Sequence, residues 1–189
     1  VLVLYPKAGT NSLVKLNALD GSIVWTFNTP NVLGSGGPVA TPDGSLVLFP
    51  NGYGITVIAD AGTTSSKKCD FTTGYLVEKA PAIVSTPSLT TAIVTSEDGF
   101  MYSMNCATCL KTFGFTPLPV SGASTPTTNG QGTIFVGSAS AAMAVSMKTG
   151  KVLWSVPTGE RFSSPTPDDE GGLYFVSSGA ASTEVKMHA

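Results

Sequence analysis

The residues best suited to chemistry in this chain are its three cysteines, two of which form the run Cys106-Ala107-Thr108-Cys109. Two thiols at this spacing can close a disulfide across a hairpin loop, stay reduced with one packed as a small hydrophobe, or work as a redox pair. The redox pair normally opens a helix in a βαβ setting, and no segment here shows a sustained helical period with caps. A Cys106–Cys109 disulfide in an oxidising compartment is the first reading, and two free thiols the second. Cys69 is a candidate partner for either, and the spacing alone does not choose.

The other reactive side chains are sparse. The single histidine, His188, lies next to the C-terminus. A Ser-His-Asp or Cys-His arrangement would have to be built on it, and it reads instead as a solvated terminal side chain. Three cysteines and one terminal histidine do not suit an open catalytic zinc site. Asp168-Asp169-Glu170 lacks the spaced oxygens of a calcium loop and reads as a solvated turn, as does Glu97-Asp98. No carboxylate pair stands out as the acid and base of a glycosidase. Gly34-Ser35-Gly36-Gly37 precedes a strand and not a helix, so it reads as a connection rather than a phosphate cradle. No catalytic, cofactor-binding or metal-binding residue is assigned, and the reading leans against an enzyme.

Composition narrows the partners. With 42% hydrophobic residues and a mean hydropathy of +0.24, the chain is built to pack. Charged residues are 12%, about half the usual 25%. At a net charge of -2 there is no basic patch to displace counterions from nucleic acid, which is not expected as a partner. No run nears the ~18 apolar residues of a membrane span. The start, Val1-Leu2-Val3-Leu4-Tyr5, is strand-like and carries neither a Met nor the basic opening of a signal peptide, so a processed or partial chain is expected. Low charge with abundant Ser, Thr, Gly and Pro points to an extracellular or cell-surface protein, periplasmic in a bacterium.

The elements that must position these residues come from a repeat. Small residues precede a proline, a turn follows, and an apolar strand ends in small polar residues. The marker prolines are Pro38, Pro87, Pro126 and Pro165, at steps of 49, 39 and 39 residues. Short strands at a period near 40 are the pattern of propeller blades. The predicted fold is all-β: a β-propeller of four-stranded antiparallel blades, about four to five blades' worth, over one partial domain, 1–189. Approximate blades are 1–29, 30–79, 80–117, 118–157 and 158–189. Their strand counts are three, four, four, four and three. Cys69–Phe71 and Tyr75–Val77 are read as two weak strands after an irregular 61–68, and Leu110–Phe115 closes the third blade. Because a propeller removes its sheet edges by closing, the end blades should leave open edges, as part of a larger ring or an open arc.

Asn17-Ala18-Leu19-Asp20-Gly21-Ser22-Ile23-Val24-Trp25 and Val145-Ser146-Met147-Lys148-Thr149-Gly150-Lys151-Val152-Leu153-Trp154 resemble the blade signature of pyrroloquinoline-quinone-type (PQQ-like) propellers. Ser96-Glu97-Asp98-Gly99-Phe100-Met101-Tyr102-Ser103-Met104-Asn105 is similar to another hairpin of that family. The resemblance spans essentially the whole chain and implies the fold. It implies that Trp25 and Trp154 close their blades by packing between neighbours, with Phe71 and Phe113 as substitutes in the second and third repeats. It also places Cys106–Cys109 at the family's Thr-Gly turn. A quinone dehydrogenase of this family would offer adjacent cysteines beside its cofactor, and this chain has none.

The functional expectation is a non-enzymatic scaffold that presents surface to other protein chains, including copies of itself through open strand edges. No cofactor is expected on this reading. The alternatives are a fragment of a quinone-dependent dehydrogenase, which would use PQQ with calcium, and a small-ligand or glycan-binding propeller using Tyr53, Tyr75 and Phe162.

Overall fold

The computed structural model describes residues 1–7, 10–30, 34–112, 114–120, 123–139, 141–157, 163–168 and 170–175. Strands β1 (Leu2–Lys7), β2 (Thr10–Leu16) and β3 (Ile23–Thr29) make a three-stranded sheet. Three four-stranded sheets follow. The first holds β4 (Val39–Ala40), β5 (Leu46–Pro50), β6 (Gly52–Asp60) and β7 (Ser65–Val77). The second holds β8 (Ala82–Ser85), β9 (Thr90–Thr95), β10 (Phe100–Asn105) and β11 (Leu118–Pro119). The third holds β12 (Thr127–Thr128), β13 (Thr133–Gly137), β14 (Ala141–Ser146) and β15 (Val152–Pro157). β16 (Thr166–Pro167) and β17 (Leu173–Tyr174) pair in a fifth sheet. Every sheet is an antiparallel meander in chain order, and no helix occurs among the described residues. The short inner strands β4, β8, β12 and β16 lie side by side in succession. The sheets are therefore blades of a β-propeller, and among the described residues they are open and not closed into a ring. The strand expected at Thr183–Met187 lies outside the described residues.

The central strands explain how the blades stack. Their apolar runs break the in–out alternation because both faces of a blade meet a neighbour. Along β5, Val47 and Phe49 join Leu13, Trp25 and Ile58 in the core between the first and second blades. Leu48 between them turns the other way, into the core with Val57, Phe71, Ala92, Val94 and Met104. In β9, Ala92 and Val94 face backward while Ile93 faces forward, against Ile134, Val136, Met143 and Val145. Beyond β13, Ala142, Leu173 and Phe175 pack with Phe135 and Trp154. A one-residue slip of any central strand would exchange its two sets of contacts, so the register is firmly specified.

Three sequence assignments are corrected here. Continuing each inner-strand register back by one residue sets Pro38 opposite Phe49, Pro126 opposite Val136 and Pro165 opposite Phe175. In the third blade that place, opposite Val94, belongs to Pro81. Pro87 instead follows β8 in the turn that Thr86 and Leu89 close, as Pro42 follows β4. The physical reason is shared: proline has no N–H for a ladder, so each of these stands just ahead of a strand or in its turn. Second, the two weak strands and part of the irregular stretch before them are one 13-residue strand, β7, continued past bulges where β6 shifts register between Gly52 and Gly54 and between Val57 and Ile58. Third, among the described residues of Leu110–Phe115 only Lys111 bridges, to Met104. Gly114 at φ 83° turns the chain away, and β11 completes the ladder beside Phe100 and Met101.

Candidate interaction surface

The outer turns of three blades share one geometry. The N–H of Gly21 donates to the Asn17 carbonyl at 2.9 Å, that of Cys109 to Asn105 at 2.9 Å, and that of Gly150 to Ser146 at 2.8 Å. All three residues have positive φ: 72°, 56° and 70°. Cys109 is the one non-glycine residue among those described to do so. A left-handed conformation strains a side chain, and here a covalent bond holds it. Cys109 pairs with Cys69 of β7, with Cα atoms 6.1 Å apart. Cys106 is the free, buried thiol, and burial pushes it up to about 12. The Cys106–Cys109 pairing is thus replaced by its alternative. Cys69 faces Val57 across the ladder, on the side of the blade that packs against the next, so it meets Cys109 inside their shared core.

The same junction carries an exposed aromatic pair. Tyr53 at the start of β6 and Tyr75 near the end of β7 are 57% and 50% exposed. Their rings meet edge to face with centroids 5.8 Å apart. Thr73 Oγ1 lies 3.1 Å from the Tyr53 carbonyl oxygen and 2.7 Å from that of Tyr75, tying both backbones. A Cβ on Gly54 would overlap the Phe71 carbonyl, so glycine is required for β7 to approach this closely. Asp98, in the turn before β10, reaches across the blades. Its carboxylate accepts from the Gly74 N–H and the Tyr102 hydroxyl, both at 2.7 Å. Burial first, and then Asp98, push the Tyr102 hydroxyl up to about 12. Behind the pair, Phe71, Tyr102 and Phe100 continue as successive ring contacts of 6.0 and 6.3 Å, and Lys111 Nζ lies over the Tyr102 ring at 5.4 Å. The two tyrosines are thus mounted on a hairpin fixed from behind by hydrogen bonds, rings and a disulfide.

The remaining sequence-derived candidates fall elsewhere. Trp25 is 6% exposed between the first two blades. Its indole N–H donates to Asp60 Oδ1 at 3.2 Å, and Lys15 Nζ bonds Asp60 Oδ2 at 2.8 Å. Burial alone would raise the Asp60 pKa, but Lys15, the Gly62 N–H and Trp25 together hold it below its ordinary value. Trp154 packs beside Phe135 with centroids 6.1 Å apart. Phe113, Phe162, Asp169 and His188 lie outside the described residues. Asp168 accepts the N–H groups of Glu170 and Gly172, fixing a tight turn. The Gly34–Gly37 loop lies against the β7–β8 connection. The Glu78 carbonyl accepts from the Gly36 N–H and the Ser35 hydroxyl, and a side chain at Gly34 or Gly36 would overlap that backbone.

A shallow depression of about 240 Å³ lies elsewhere between the second and third blades, lined by Thr41, Asp43, Ser45, Ser88, Thr90 and Asn105 among others. The Asp43 carboxylate there is engaged by Thr41 and Ser45. Among the described residues, no three His, Cys, Asp or Glu side chains converge as a metal site would require. The chain has no adjacent cysteines, and two of its three are joined across the blade junction. What exposes the tyrosine pair is the register shift between Gly52 and Gly54, which sets Tyr53 opposite the four residues 73–76 of β7.

No family model matches the sequence, and no curated protein matches it significantly. Among solved structures, BamB from Moraxella catarrhalis superimposes with a TM-score of 0.72 at 19% identity, over 93% of this chain and 54% of that one. The computationally designed Ika4 protein superimposes with a TM-score of 0.55 at 11% identity, over 76% of this chain and 85% of that one. The chain spans about half the length of the BamB structure. At these identities the likeness is one of fold, and it is to a β-propeller.

Proposed function

We propose that this chain is a non-enzymatic propeller scaffold that holds other proteins through the Tyr53–Tyr75 face, in an extracellular or periplasmic setting. The observation that carries the reading is the pair itself: two half-exposed aromatic rings in contact on a backbone locked by Thr73, Gly54 and Asp98. Tyrosine is enriched at the centres of protein interfaces, and a surface ordered beforehand loses little entropy on binding. The outer ladder of β7 is a less suitable surface. Lys67 and Lys68 line it, and Asp98 caps its Gly74 N–H; charge and capping are how sheet edges avoid new strands. The inter-blade disulfide supports an oxidising compartment.

The test replaces both tyrosines by serine and measures melting temperature and protein association in the native extract. The reading expects unchanged melting and lost association. Association retained by a correctly folded double variant would overturn it. A second reading, a glycan ligand, is favoured by the same exposed pair, because paired rings can stack on sugar faces. Retention on a glycan array that the double variant loses, without any protein adduct, would support that reading instead.

A further inference from the structure

We propose that the Cys69–Cys109 disulfide and the Cys106 thiol form a thiol–disulfide switch, in which a bond between two blades can be exchanged for a bond within one turn. Three observations place the parts together. Cys109 is already a disulfide sulfur, bound to Cys69. Cys106 is a thiol three residues away, inside the turn that the Cys109 N–H closes on the Asn105 carbonyl. Both belong to the same buried core. Residues three apart in a tight turn lie within about 7 Å, the separation beyond which a disulfide does not close without backbone movement.

The exchange balances without an outside reagent. The Cys106 thiol gives up its proton, and its sulfur attacks the Cys109 sulfur. The Cys106–Cys109 bond forms as the Cys69–Cys109 bond breaks. Cys69 leaves as a thiolate and takes up one proton, so nothing is oxidised or reduced overall. The resting molecule holds the switch closed, because Cys106 is fully buried and its N–H donates to the Thr90 carbonyl at 3.0 Å. Opening of the turn at residues 105–110 exposes the thiol to its neighbour. The result is a cross-link confined to the third blade, and β7 is then held to that blade only by noncovalent contacts such as Phe71–Tyr102 and Gly74–Asp98.

The chain is suited to a direct test. Trypsin cuts after Lys68, Lys79 and Lys111, leaving Cys69 on one peptide and Cys106 with Cys109 on another. The oxidised full-length chain is held in urea below its unfolding midpoint without added thiol, quenched with an alkylating agent, digested and mapped unreduced. The proposal expects peptide 69–79 to appear free and alkylated on Cys69, with peptide 80–111 lighter by two hydrogens through an internal bond. Cys106→Ala, and separately Cys106→Ser in case one variant folds poorly, should lose this release of Cys69. The proposal fails if the wild-type peptides stay linked with Cys106 alkylated, or if Cys69 is released equally in the Cys106 variants.

Discussion

Cys69 and Cys109 join two neighbouring blades across a separation of 40 residues, and Cys109 does so from the left-handed position that Gly21 and Gly150 occupy in the matching turns. The sequence reading has no tryptophan for the junction after the second blade. The structure fills that junction with Phe71, Tyr102 and this covalent bond.

Breaking the bond should therefore be costly. Closing a loop of this length lowers unfolded-chain entropy by an amount equivalent to about 4 kcal/mol. Cys69→Ser with Cys109→Ser is expected to lower the urea-unfolding free energy by roughly 2–4 kcal/mol. Cys69→Ser with Cys109→Gly should recover about 1 kcal/mol of that loss, because glycine accepts the positive φ. Equal stability of the two pairs would show that the turn at Cys109 is not strained.

Asp60 predicts an acid sensitivity at the first junction. Its folded pKa is depressed, so the stability it contributes is present above its unfolded pKa and is lost as pH falls through the folded value. Trp25 fluorescence, reporting the indole bonded to Asp60, should change as pH drops below about 4. Asp60→Asn should cost about 1–3 kcal/mol at neutral pH and flatten this acid dependence. An unchanged acid profile in the variant would assign the transition to another carboxylate.

The aromatic residues between blades should matter chiefly by the volume they fill. Trp25→Ala and Phe71→Ala are each expected to cost about 3–5 kcal/mol in chemical denaturation. Trp25→Phe should cost less, the remaining loss reflecting the missing indole donor to Asp60. If Phe71→Ala were as stable as the parent, the disulfide alone would be holding that junction.

Gly54 tests how the tyrosine hairpin is built. A Cβ there would overlap the Phe71 carbonyl, so Gly54→Ala must push β7 away from β6. The expected cost is about 1–3 kcal/mol, with faster amide exchange along residues 70–75. A silent substitution would mean that the bulge has room to relax.

Much of the fold was legible because each central strand announces itself: Leu46–Phe49 and Ala92–Val94 are apolar on both faces, as only a strand between two blades needs to be. The prolines misled at one place, since Pro81 and Pro87 are both valid strand or turn prolines and local pattern does not rank them. β7 reads as fragments in the sequence because its outward side chains, from Lys67 to Tyr75, are mostly exposed, and an outer strand needs no apolar run. The cysteine pairing was hidden for a different reason. Cys69 and Cys109 meet through the stacking of two sheets, which sequence spacing does not encode. The tyrosine pair likewise depends on a register shift between Gly52 and Gly54 that brings two distant residues side by side.

The central claim is that Tyr53 and Tyr75 form the surface on which this scaffold holds a protein partner. Its most direct measurement is site-specific photo-cross-linking in the native compartment, with the reactive side chain placed at position 53, at 75, or at Leu19, which is 96% exposed on another blade. The account predicts a discrete protein adduct from positions 53 and 75 and none from 19. Equal adducts from all three positions, or adducts from 19 alone, would contradict it.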